Sequence, residues 1–128
     1  MKGFSGGGVG KNPQTPGQFV VRAFDPKTGQ RRWEYPMTGN IDAWPGLTST
    51  AGNVVFTADD DGQLVALDAR NGKPLWHFAM GETIAAAPIT YMVGGKQYVS
   101  IASATAVFTF GLFEPVKPLT PPEVKLVP

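Results

Sequence analysis

The sequence predicts an all-β fold: about two four-stranded antiparallel blades of a β-propeller, entered through a Gly-rich N-terminal loop and left by a Pro-rich C-terminal tail. Three observations predict it. A motif recurs after 43 residues: "DPKTGQRRWEY" at 25–35 returns as "DARNGKPLWHF" at 68–78, and both copies follow Ala-x-Asp-x-x-(Thr/Asn)-Gly-(Gln/Lys)-x-x-Trp. Sixteen glycines and twelve prolines accompany short runs of Val, Ile, Thr and aromatic residues, with no convincing helical pattern. The run "LVAL" at 64–67 is apolar at every position, so both faces of that strand need cover, where a one-sided sheet would leave alternate residues polar. Four-stranded units that repeat about every 40 to 50 residues and stack face to face are propeller blades.

Residues 1–18, rich in Gly, Pro and Gln, read as an entry loop, and 19–112 as the blades. "QFVVRAFD" and "RRWEYPM" are two strands around a turn at "PKTG", and "QLVALD" and "PLWHFAM" repeat the pair around "ARNG". In each turn the Asp accepts backbone N–H bonds from the residues after it, and Gly29 or Gly72 takes the left-handed conformation. Between the pairs, "LTST" and "NVVFTA" are strands parted by Ala51-Gly52, which makes a four-stranded unit from about 47 to 79. "APITYMV", the Gly94-Gly95 turn, "KQYVSIAS" and "AVFTFGL" form a three-stranded meander. Residues 113–128 are too proline-dense for a central strand and read as a surface or polyproline II tail. The indole that closes each repeat is expected to pack against the adjacent blade over a small residue such as Ala23 or Ala66.

A chain of 128 residues is one domain's worth at most and, if compact, buries roughly two thirds of its unfolded surface. Eleven Lys and Arg against ten Asp and Glu give a net charge of +1, which offers no electrostatic reason to expect nucleic acid or an acidic membrane. The absence of cysteine removes disulfides, thiolate catalysis and Cys-ligated metal. "MKGFSGGGVG" lacks the apolar stretch of a signal peptide, and no run reaches the length of a membrane span.

Several short patterns carry no chemistry. "GFSGG" has no strand before it to build a nucleophile elbow. "SGGGVGKN" has Ser5 and Asn12 where a phosphate loop needs Gly and Ser or Thr. "DDDG" at 59–62 lacks the alternating ligands and distal Glu of a calcium loop. His77, the one histidine, sits within a strand, and Lys27, Arg31 and Arg32 read as a solvated face. "PVKP" and "PLTP" fit PxxP, a match too short to assign a recognition domain.

The Asp-Gly-Trp repeat resembles the tryptophan-docking motif of the quinoprotein dehydrogenase propellers, the family that uses pyrroloquinoline quinone (PQQ). "RAFDPKTGQRRWEYP", "WPGLTSTAGNVVF", "DGQLVALDARNGKPLWHF" and "APITYMVGGKQYVSIAS" follow in the order and spacing of that family's C-terminal blades, over about residues 19–112. The resemblance implies a quinoprotein-type, eight-bladed propeller of which this chain is a fragment. It implies two cofactor-binding positions. Trp44, opening the Trp-x-Gly-x-x-x-Thr-Ala-Gly segment, matches the tryptophan that lies against the quinone. Ala104, in "SATA", stands where a glycine-rich turn approaches it, with no Gly-Gly-Trp following. Catalytic and metal residues are expected from upstream blades, with calcium or a lanthanide on the quinone, and none within this chain.

The resemblance further implies a periplasmic parent enzyme that oxidises an alcohol or sugar, with the remaining blades, or self-association, covering the exposed blade faces. The alternative reading is a non-catalytic propeller of the same repeats acting as a protein-interaction scaffold, such as the outer-membrane assembly lipoproteins. Trp44 favours the enzyme and Ala104 the scaffold.

Overall fold

The computed structural model describes residues 19–38, 45–59 and 61–112, and every structural statement below concerns these. They form nine strands and no helix: β1 Val20–Phe24, β2 Arg31–Pro36, β3 Thr48–Ser49, β4 Val54–Ala58, β5 Gln63–Asp68, β6 Pro74–Ala79, β7 Ile89–Val93, β8 Lys96–Ala102 and β9 Val107–Gly111. The strands make three antiparallel sheets, ordered β1-β2, β3-β4-β5-β6 and β7-β8-β9. About two blades' worth of strands is thus spread over one complete blade and two partial ones. The expected entry loop and proline-dense tail lie outside the described residues.

The repeat makes equivalent hairpins. Ala23 pairs with Trp33 and Ala66 with Trp76, and each strand pair shifts register at the next residue. Asp25 Oδ1 accepts from the Lys27 N–H at 2.9 Å, and Asp68 Oδ1 from the Arg70 N–H at 2.9 Å. Gly29 and Gly72, at φ +69° and +73°, each donate their N–H to the carbonyl of that Asp, the left-handed close a tight reversal needs. Gly94 and Gly95 both have positive φ in the two-residue β7–β8 turn, as a type I′ hairpin requires. Pro74 opens β6, which lies at the outer edge of its sheet, where a missing donor costs least.

β5 carries the core. Leu64, Val65, Ala66 and Leu67 are all buried, and successive side chains face opposite sheets. Val65 and Leu67 join Val21 of β1, with Trp33, Tyr35, Met37 and Val55 packed around them. Leu64 joins Ala58, Met80, Ile84 and Ile101, with Phe56, Phe108 and Phe110 beside them. The central sheet is therefore covered on both faces, as the unbroken apolar run requires.

The two indoles serve differently. Trp33 donates from Nε1 to the Ala69 carbonyl at 2.8 Å, and its ring lies over Gly72 in the turn of the next sheet. The small residue beneath it across the seam is thus Gly72, while Ala23 and Ala66 are cross-strand partners within the indoles' own sheets. Trp76 meets the next sheet through Phe110, edge-on with ring centroids 5.1 Å apart, and stays 39% exposed.

Candidate functional site

The β4–β5 turn is built around Asp59, whose side chain is almost wholly buried. Its N–H donates to the Gln63 carbonyl and its Oδ1 accepts from the Gln63 N–H, both at 2.9 Å. The Thr38 hydroxyl, just beyond β2 in the first sheet, donates to Asp59 Oδ2 at 2.7 Å.

The β8–β9 turn, residues 103–106, has the same outline. Ser103 N–H donates to the Ala106 carbonyl at 2.8 Å, and Ser103 Oγ accepts from the Ala106 N–H at 3.1 Å. Here Glu82, from the connection between β6 and β7, reaches across. Its carboxylate accepts from Ser103 Oγ at 2.6 Å, from Thr105 Oγ1 at 2.5 Å and from the Thr105 N–H at 3.2 Å. Three donors on one carboxylate favour its charged form, with Ser103 first, and hold Glu82 below the ordinary carboxylate range. Glu82's own backbone rests on Gly62, where a Cβ would sit 2.3 Å from the Glu82 carbonyl oxygen.

Ala104 stands exposed on this turn. Among the described residues, the only non-glycine with positive φ is Asn53, so alanine fits at 104 without backbone strain. A shallow cleft of about 410 Å³ opens beside it, lined by Thr83, Ala85, Ala86, Ala102, Ser103 and Ala104. Trp44, the other expected cofactor-binding residue, lies outside the described residues. A Cβ on Gly46 would sit 2.4 Å from the Ala87 Cβ, so glycine at 46 has a packing reason. Thr48 Oγ1 also donates to the Pro88 carbonyl. The segment after Gly46 and the Ala104 turn therefore flank one connection, residues 83–88.

A family model described as outer membrane protein assembly factor BamB matches residues 17–107. The chain belongs to that family, PQQ_2. Its curated relatives in this repeat family include the quinoprotein alcohol dehydrogenase PedE of Pseudomonas putida, 42% identical over 82 residues, which cover 64% of this chain and 13% of the relative. Another is the 1-butanol dehydrogenase (cytochrome c) of Thauera butanivorans, 45% identical over 97 residues, which cover 71% of this chain and 13% of the relative. The quinohemoprotein alcohol dehydrogenase of Comamonas testosteroni superposes with a TM-score of 0.64 and 38% identity, over 74% of this chain and 14% of that one. The chain spans about an eighth of the length of the curated relatives it matches. These similarities agree with the tryptophan-docked propeller blades described above.

PQQ is a flat polyanion, and the Ala104 cleft does not fit an anchor for it. Its lining is small and mostly apolar, without a cationic side chain, and the nearest ionised group is the Glu82 carboxylate, of like charge. No chemical step is therefore assigned to these residues. Nor do the described residues hold a group of three or more His, Asp or Glu able to bind a metal. His77 lies exposed on β6, opposite Val65. Residue 60 of "DDDG" is outside the described residues, and Asp59 acts in the turn.

Sequence reasoning did not find the Glu82 cluster. Glu82 is separated from Ser103 and Thr105 by 21 and 23 residues, a spacing that belongs to no strand, helix or motif period. The one usable signal was the pair of hydroxyls in "SATA", flanking Ala104, the position where the family pattern has glycine.

Proposed function

We propose that this chain is the C-terminal part of the propeller of a PQQ-dependent dehydrogenase that oxidises an alcohol or sugar in the periplasm, and that it supplies one wall of the cofactor funnel. In this reading Trp44 offers a stacking face, the Ala104 turn borders the same wall, and upstream blades bring the base, the calcium or lanthanide and the cations that hold the cofactor's carboxylates. The observation that carries it is the Trp33 dock on Ala69 and Gly72, which joins successive sheets, taken with the 42% and 45% identity to alcohol dehydrogenase relatives. The family model's own description, an assembly factor, supports the second reading of a protein-binding scaffold.

Turnover requires a base about 3 Å from the substrate hydroxyl, held by rigid neighbours. Stacking alone contributes on the order of 1 kcal/mol beyond burial, too little to retain a polyanion. The chain by itself is therefore expected to be inactive with PQQ, calcium, an artificial electron acceptor, and ethanol or glucose. The deciding assay uses the longer gene product containing this chain: dye reduction lowered by Trp44→Ala supports the enzyme. No turnover in the longer product under those conditions would sink the enzyme and leave the scaffold.

A further inference from the structure

The two seams between the sheets carry the same contact with its roles exchanged. In the first, the hydroxyl belongs to the connection and the carboxylate to the turn: Thr38, two residues past β2, donates to Asp59. In the second, the carboxylate belongs to the connection and the hydroxyls to the turn: Glu82, three residues past β6, accepts from Ser103 and Thr105. Asp59 and Ser103 are equivalent positions. Each follows the last residue of its strand, Ala58 or Ala102, and each caps its turn by accepting a backbone N–H.

We propose that these contacts are registration latches between successive blades, and that Glu82 is the positioning residue of the Ala104 turn. Side-chain bonds between exposed groups hold little, because water replaces either partner. Glu82 differs because it is gripped at both ends. Its main chain is pressed on Gly62, the Met80 N–H donates to the Gly62 carbonyl at 2.8 Å, and Ile84 on its other side is fully buried. Its carboxylate then holds a backbone N–H as well as two hydroxyls. The β4–β5 turn of one blade is thereby tied to the β8–β9 turn of the next through one side chain. Thr83, Ala85 and Ala86 form one wall of the cleft and residues 102–104 the other, so the latch sets the cleft's width. That the cleft borders a cofactor funnel rests on the proposed function; the latch itself does not.

The test is an exchange of roles in the full chain, read as hydrogen exchange of the Ala106 amide by NMR without cofactor, the turn-closing N–H that the side chain of residue 103 accepts as that of Asp59 accepts the Gln63 N–H. Glu82→Thr is expected to speed exchange about tenfold, the loss of a charge-assisted bond. Ser103→Asp, which sets a second carboxylate against Glu82, is expected to speed it as well. The double variant Glu82→Thr/Ser103→Asp rebuilds the arrangement of the first seam and is expected to return within about threefold of the parent rate, a coupling that independent sites do not show. A double variant as fast as the faster single one overturns the proposal, as does a Glu82→Thr rate equal to the parent's. Should Glu82→Thr lose its sheet signal, Glu82→Ala, which removes every acceptor from the side chain, is read instead, and a rate equal to the parent's again overturns it. Because no cofactor is present, the dehydrogenase assay can fail while the latch stands, and the reverse.

Discussion

The ring of Trp33 occupies the space that a side chain at residue 72 would need. A Cβ on Gly72 would lie 2.6 Å from the indole Cε3, and the same indole donates to the Ala69 carbonyl three residues earlier. Glycine at 72 is thus required twice, by its φ of +73° and by the ring above it.

Two glycine substitutions separate those requirements. Gly29 has a φ of +69° but nothing within 4 Å of an added Cβ. Gly29→Ala should cost about 1 kcal/mol, the strain of a left-handed alanine. Gly72→Ala should cost clearly more, because the indole must also move. Urea midpoints of the two variants measure this, and equal losses would mean the ring does not press on the turn.

The indoles themselves should rank. Trp33→Ala is expected to destabilise by about 3 kcal/mol, the low end for a large aromatic since the ring is only half-buried, and Trp33→Phe by about 1 kcal/mol for the lost bond to Ala69. Trp76, 39% exposed, should cost less on truncation than Trp33. A larger loss at Trp76 would reverse the assignment of the stronger dock.

Asp68 should stay charged down to about pH 2. The Arg70 side chain, with the Arg70 N–H, lowers its pKa from 3.8 to about 2. A depressed folded value stabilises the fold above the unfolded pKa, and that contribution disappears as pH falls from about 4 through about 2. Carboxyl carbon shifts followed from pH 6 to 1 should show the low midpoint, and Arg70→Gln should move it toward 3.8. A midpoint near 3.8 in the parent chain would remove the ion pair from the turn.

Ala104→Gly should not stabilise. Alanine there has no positive φ to relieve, so glycine only adds freedom to the unfolded chain, costing about 0.4 to 1 kcal/mol. A gain in thermal midpoint would show that alanine is strained in that turn.

The isolated chain should associate. Trp76, Phe78, Tyr91, Met92 and Val107 are all at least 38% exposed, and grouped apolar surface of this kind marks an interface. Sedimentation across a hundredfold range of concentration should show mass rising, and a monomer throughout would mean these side chains find cover within the chain.

The strands were legible because their cause is local. Alternation, glycine at a positive φ and aspartate folded onto its own turn all act within a few residues, and each predicted strand lies within two residues of an observed one. The unbroken "LVAL" run signalled cover on both sides for the same reason. The partition into sheets of two, four and three strands was legible as well, because each sheet is a run of strands joined to their sequence neighbours by short turns. At the candidate site, Ala104 was found through resemblance. Glu82 was missed because its partners are distant in sequence and its role comes from two turns meeting. The close approach of Gly46 to Ala87 likewise has no trace in either residue's neighbours.

The position of the Trp33 dock bears on synthesis as well as on the finished fold. The indole of the β1–β2 hairpin has no seat within its own sheet: the turn it rests on is completed only at residue 72, 39 residues after the indole. Translation at about 5 to 20 residues per second leaves Trp33 without its seat for roughly 2 to 8 seconds after it is polymerised. Through that interval the ring is available to a chaperone or to another nascent chain. Slowing elongation between codons 33 and 72 should therefore lower the yield of folded protein more than slowing it by the same amount after residue 79.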